Sequence, residues 1–462
     1  METGTEPLVA HLKNVLLELA ANPYPEVACP PNVPRRASVA VILRIQPNYA
    51  HWPAVHSKQL HTPHAHHAQQ RRRSSVASNS GQKLSFKDIL DAFFEQDWVK
   101  HGDPEMLFIK RATRIGDKWN GHVALPGGKR DPEDADDQVT AMREAMEEVG
   151  IDLSFSHAIA VGNLPQRVVT TSWGKVPLMV LCPYVYLLTS SDYPPQRLQP
   201  TEVASTHWVS LRALLSPALR THEYADVSNR LAKSELGIKR WFLQAMLSKM
   251  MFAAIRLVPS ESTYCSSIPG FVPEGPAPNS SLTGKLKEVL VGPEAGYEAR
   301  PPPLLLWGLT LGVISDFLEH IPPHNALELW TYPTFTNWDV RFIMWAMSYR
   351  FRKQKAIEMG TVDTGATEET NESEIAEDRE DKSTEKVEEV EEPGEVGIAG
   401  LGVGRNWGRT GRAKMIARGA AVNSMLEGYY PIVRKAVATA LVGRLAVASL
   451  VAVYVWRRYS RN

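Results

Sequence analysis

The sequence predicts an α+β fold built on a mixed sheet, and three observations carry that reading. Strand-type runs at residues 38–45, 106–110, 122–125, Val176–Leu188 and 206–210 are rich in β-branched and aliphatic residues. Helical periodicity appears at Phe86–Phe94 and 139–149, but the elements do not follow a regular βαβ order. The chain has 462 residues, 44% hydrophobic and 22% charged, which suits a globular core with long appendages.

Along the chain, Leu8, Leu12, Val15, Leu16 and Leu19 recur at helical spacing, so residues 1–35 read as an amphipathic helix and loop. They lack the basic start and unbroken apolar core of a signal peptide. The globular domain is expected over 36–320. Within it, 49–82 holds six of the fourteen histidines, then Arg71-Arg72-Arg73, and reads as a disordered insertion, although a histidine cluster can also bind metal. Pro183 interrupts the run Val176–Leu188 and favours an edge or bulge there. Leu211–Leu215 starts a helix. Residues 217–300 form a variable insertion, helical over 238–255, with a strand over 256–260 and Pro/Gly-rich loop beyond. Residues 303–321 read as a core strand and helix, their eleven-residue apolar stretch being too short to span a bilayer.

Residues 321–354 form an aromatic helical extension. Trp330, Trp338, Phe342, Trp345 and Tyr349 suit a core, a membrane surface or a partner site. Residues 355–401 read as an acidic disordered linker, with fifteen Asp/Glu against three Lys/Arg over 361–395. The sign reverses in 402–462, with eleven Lys/Arg against the single Glu427. There, residues 436–456 are an apolar run with one charge, Arg444, followed by Arg457-Arg458. That length suits a membrane-spanning helix, with Tyr454 and Trp456 at an aromatic and basic border.

Lys+Arg and Asp+Glu both total 51, which argues against a dedicated nucleic-acid binder. Three distant cysteines, Cys29, Cys182 and Cys265, exclude a disulfide scaffold and fit a reducing compartment.

The chemistry concentrates in residues 121–153. Glu144, Glu147 and Glu148 are spaced three and four apart, so a helix sets them on one face. Such uncompensated carboxylates call for a cation, and hard oxygen ligands suit Mg²⁺ or Mn²⁺. Upstream, Gly127-Gly128 permit a tight turn and close backbone approach to a ligand. The following loop carries Asp131, Glu133, Asp134, Asp136 and Asp137, and Gly150 suits a helix C-terminus.

This segment resembles the Nudix box, G-x5-E-x7-R-E-U-x-E-E-x-G-U, with U an aliphatic residue. The second half matches throughout, from Arg143-Glu144 to Gly150-Ile151, with Ala145 as the first U. The first half is one residue longer, and Glu133 or Asp134 stands nearest its acidic position. The expanded form is similar to the coenzyme A diphosphatase branch. Gly162, Leu164, Thr170-Thr171, Pro200-Thr201-Glu202-Val203 and Trp307-Gly308-Leu309-Thr310 extend the likeness. The branch's Leu-Arg-x-His element is absent after Lys110-Arg111-Ala112.

The resemblance implies a Nudix fold, a mixed sheet sandwiched between helices, and hydrolysis of a nucleoside diphosphate linked to another moiety. It implies Glu144, Glu147 and Glu148 as ligands of Mg²⁺ or Mn²⁺, with Glu144 or Glu148 as base and Arg143 orienting the glutamates. Gly127, Gly128, Arg111 and Lys110 would meet substrate. Glu202 reads either as a further acid near the site or as a solvated strand-edge residue. Coenzyme A is the first substrate expected, with dinucleoside polyphosphates, nucleotide sugars, dinucleotide cofactors or a non-catalytic sensing role as alternatives. The tail would hold the enzyme on an intracellular membrane with its catalytic domain in the cytosol.

Overall fold

A computed structural model describes residues 6–31, 33–53, 85–113, 120–154, 157–171, 176–191, 195–225, 249–267, 303–322, 324, 326, 331–368, 426 and 428–460. The bulk of the 49–82 insertion, most of the acidic linker, and Trp330 lie outside these residues.

The elements, in order, begin with α1 (Glu6–Ala21), β1 (Arg36–Gln46), α2 (Phe86–Phe94), α3 (Asp97–Lys100) and β2 (Asp103–Arg111). They continue with β3 (Val123–Ala124), β4 (Gly127–Lys129), α4 (Asp137–Val149), β5 (Ala158–Asn163), β6 (Arg167–Thr171), β7 (Val176–Leu188), β8 (Val203–Ser210) and α5 (Leu211–Leu215). Then follow β9 (Arg220–Ala225), β10 (Met250–Arg256), β11 (Glu261–Tyr264), β12 (Leu305–Trp307), α6 (Gly308–Glu319), β13 (Thr334–Phe335), α7 (Trp338–Glu368) and α8 (Tyr429–Tyr459).

Among the described residues, nine strands form one mixed sheet in the order β11-β8-β2-β1-β7-β5, with β3 on β2, β4 on β1 and β6 on β7. The β1–β7 pair is parallel and its other ladders are antiparallel. Successive strand residues face opposite sides, and this period splits β1 and β2 between two cores. Val41, Leu43, Met106 and Phe108 join a core covered by α1, α2, α3 and α6. Ala40, Ile42, Leu107 and Ile109 join the opposite core, against which α4 lays Ala141, Ala145 and Val149. The sheet is thus sandwiched between helices, as the sequence predicts.

Two local expectations need correction. Pro183 is not on an edge: β7 has β1 on one side and β5 and β6 on the other. The Pro183 carbonyl accepts from the Leu164 N–H, in the gap between β5 and β6. The missing N–H lies on that same side, where β7 passes from pairing with β5 to pairing with β6. The second concerns residues 250–255, which form a strand rather than the end of a helix. Pairing with β9, β12 and β13 in a second, antiparallel sheet outweighs the helical preference of Met and Ala there. Residues 257–260, expected as a strand, belong to the turn leading into β11.

The helix α6 is pinned by a buried ion pair between Arg167 on β6 and Asp316. Breaking one partner of such a pair strands a buried charge, at a cost of about 3–5 kcal/mol. Arg167→Met is expected to lower stability on that scale in denaturant unfolding, and Arg167→Met with Asp316→Leu is expected to recover most of it.

Candidate active site

The site is built where α4 passes under β4. Asp136 caps the helix by accepting from the Val139 N–H at 2.8 Å. Gly150 ends it in the left-handed conformation at φ 73°. Between these stops, Ala141 and Ala145 let the helix approach the sheet closely, because their small side chains are fully buried in the core. The same approach turns Glu144 and Glu148 inward.

The two glycines above them are required by that proximity. The Gly127 N–H donates to Glu148 Oε2 at 2.9 Å. A Cβ at Gly128 would overlap the Glu144 carboxylate, and one at Gly127 would overlap the Ser38 carbonyl of β1. Carboxylate oxygens of Glu144, Glu148 and Glu202 lie within 4.8 Å of one another. Glu202 reaches this cluster because the loop before β8 runs along the end of α4. In that loop the Arg197 and Gln199 N–H groups donate to the Val149 and Glu148 carbonyls. The Ala112 N–H then donates to the Glu202 carbonyl, bringing the end of β2 to the same place.

Arg143 organises the acidic surround. Its guanidinium forks onto Asp134 at 3.0 and 3.1 Å, donates to Glu147 at 2.8 Å and to the Lys129 carbonyl, and stands 3.1 Å from Glu144. The fork holds the Asp134 carboxyl down at about 2. Asp134 therefore occupies the acidic position that the sequence leaves between Glu133 and Asp134. It is the sixth residue after Gly128, which is the spacing of the motif's first acid. Glu147 shares the helix face but points outward, with its side chain 57% exposed and paired to Arg143. The convergent set is thus Glu144, Glu148 and Glu202. Glu202, 54 positions after Glu148, gives no signal in helical spacing.

The cluster has the donor chemistry of a hard divalent ion. Burial pushes the Glu148 carboxyl up to about 8, reinforced by Glu144 and Glu202 and opposed by the Gly127 N–H and the charge of Arg111. Burial also raises Glu144 against the pull of Arg143. Three carboxylates this close, two of them buried, fit a cation better than one another.

Lys110 lines a cavity of about 450 Å³. His122, Trp307 and Glu223 also line it, and the His122 and Trp307 rings lie 4.9 Å apart. Its walls come from β2, β3, β9 and β12, so both sheets contribute to it.

A buried acidic cluster below a glycine turn, fixed by an arginine fork, has the form of a divalent-cation site, and comparison with known proteins supplies the class. A NUDIX domain model matches residues 98–231. The chain is 33% identical over 299 residues to an uncharacterized protein of Schizosaccharomyces pombe, covering 63% of this chain and 79% of that one. It is 40% identical over 60 residues to the mitochondrial coenzyme A diphosphatase NUDT8 of Mus musculus (13% and 29% of the two chains). It is also 40% identical over 72 residues to the chloroplastic Nudix hydrolase 22 of Arabidopsis thaliana (16% and 22%). The chain thus spans most of the yeast relative but under a third of these two hydrolases. It belongs to the Nudix family and is a hydrolase of diphosphate bonds.

Two outcomes follow from this geometry. Gly128→Ala is expected to leave the fold intact but displace Glu144, lowering turnover by about a hundredfold, the scale of a ~1 Å misplacement. The second concerns pH. With no cation bound, native Glu148 keeps its proton up to about 8, whereas an unfolded chain releases it near 4.5. The native state binds more protons in that window, so its stability falls as pH rises through it. In EDTA, Tm is expected to fall from pH 5 to pH 8, Mg²⁺ to raise it most at the upper end, and Glu148→Gln to flatten both effects in thermal unfolding.

Proposed function

We propose that the protein is a Mg²⁺- or Mn²⁺-dependent Nudix pyrophosphatase that cleaves the diphosphate of coenzyme A or a related nucleoside diphosphate derivative. The observation that carries this reading is the convergence of Glu144, Glu148 and Glu202 beneath the Gly127-Gly128 turn. Coenzyme A stands first among substrates because of the expanded motif and the partial likeness to a coenzyme A diphosphatase. The missing Leu-Arg-x-His element leaves related diphosphates within the same reading.

In this mechanism water attacks one phosphorus, the bridging P–O bond breaks, and the bond's electron pair leaves with the departing phosphate. Glu144 and Glu148 would hold the divalent ion, joined by Glu202 and by Glu147 once it turns inward. The ion, when bound, supplies neutralisation of phosphate charge and activation of water. A carboxylate of this cluster takes the proton of the attacking water. Arg143 orients Glu144 and Glu147 without touching substrate, and the backbone at Gly127-Gly128 lets a phosphate come close. Arg111 offsets negative charge beside Glu148, while Lys110 and Trp307 meet the part of the substrate beyond the diphosphate.

We further infer that α8 tethers the enzyme to an intracellular membrane, with the catalytic domain on the cytosolic side. Its 31 residues, with a mean hydropathy of 2.0 over the most apolar window, support this.

The deciding experiment is turnover of a nucleoside diphosphate panel including coenzyme A, with Mg²⁺ and with Mn²⁺. Coenzyme A is expected to be cleaved best, and Glu148→Gln to abolish turnover. Preference for another diphosphate would discard coenzyme A and keep the mechanism; no turnover of any would overturn the enzyme reading. Trp307→Ala is expected to raise KM several-fold while kcat changes little, as for loss of uniform binding.

A further inference from the structure

The helices α7 and α8 run antiparallel. Asp339, at the start of α7, pairs with Arg444 at 2.5 and 2.6 Å, while Phe351 meets Tyr429 further along. Val340 and Met344 pack between them against Val433, Ala436, Val437 and Ala440. Beyond Arg444, α8 projects past the end of α7 with Leu450 70% and Trp456 71% exposed.

Length makes this arrangement consequential. From Leu445 to Trp456 there are twelve residues, about 18 Å of helix, against roughly 30 Å of bilayer hydrocarbon. A spanning helix that ends at Trp456 must therefore include residues that are packed on α7. The first turns of α7 then enter the bilayer with it, and their outward face meets lipid. That face is unusual for a water-exposed helix: Trp338 is 81%, Phe342 62% and Trp345 54% exposed. The Arg444–Asp339 pair neutralises the one charge within the α8 span, as expected for ionisable groups at membrane depth, and Arg341, exposed on α7, reaches from the lipid-facing side toward the headgroups. By the register that the Asp339–Arg444 and Phe351–Tyr429 pairs set, Arg434 and Lys435 on α8 come level with Ala346 and Met347 on α7, and Tyr349, Arg350, Arg352 and Lys353 follow within the next two turns. That is the aromatic and basic composition of a headgroup border.

We propose that the first two turns of α7 are immersed in an anionic lipid bilayer beside the tail helix, with Trp338, Phe342 and Trp345 facing lipid. The two helices then form one membrane unit that holds the catalytic domain directly against the headgroups. This inference rests on the membrane reading of α8 and adds α7 to it.

The test uses the full chain reconstituted in phosphatidylcholine/phosphatidylserine vesicles, with a fluorophore on a single introduced cysteine at Phe342→Cys, Trp345→Cys, Leu450→Cys or Tyr49→Cys. Retained circular dichroism checks each variant's fold, and labelled wild-type protein corrects for native thiols. Labels at 342, 345 and 450 are expected to shift to the blue and lose most of their emission to nitroxide-bearing acyl chains, while the label at 49 stays unquenched. Quenching at 450 but not at 342 and 345 would overturn the role of α7 and leave the anchor standing. Quenching at none of these positions would overturn both.

Discussion

The close approach of α4 to the β4 glycines is the constraint on which the site depends. A helix that carries two inward glutamates can lie this near a strand only where the strand has no side chains to oppose it. Gly128 supplies the space for Glu144, and the Gly127 N–H gives Glu148 its partner. Ala141 and Ala145 set the same distance from below, fully buried against the sheet. Larger residues at these positions would lift the carboxylates away from the strand.

Electrostatics explains why so acidic a segment folds at all. Arg143 ties Asp134, Glu144 and Glu147 into one network, so that most of the acidic surround is compensated before any ligand arrives. Charge compensation is incomplete at Glu148, where burial raises proton affinity and Arg111 offsets only part of the effect. Stability is thereby given up at the place where a divalent cation can restore it. Elsewhere in the sheet a buried Arg44, stacked over Trp208 and bonded to Glu105 and Glu261, joins four strands without such a deficit.

The chain's additions are integrated into this frame rather than hung from it. The second sheet, built from β9, β10, β12 and β13, supplies Glu223 and Trp307 to the cavity beside the catalytic strands. Phe335 and Met250 of that sheet also pack against α7 and α8. The tail pair therefore packs directly on the second sheet.

Much of this was legible in the residues themselves. Runs of β-branched and aliphatic residues marked β1, β2, β7 and β8, helical periodicity marked α4, and the Glu144/Glu147/Glu148 spacing with Gly127-Gly128 located the chemistry, because these signals are local. Three features were decided only by tertiary structure. Glu202 joins Glu144 and Glu148 through a loop held along α4 by backbone hydrogen bonds, to which side-chain spacing is blind. Residues 250–255 became a strand because distant segments offered them ladder partners. Asp339 found Arg444 across 105 positions, which no local pattern encodes. The sequence by itself determined the main elements around the site and which residue types carry the chemistry. Only the folded chain decided which carboxylates face one another, because that depends on how far apart packing sets the backbones.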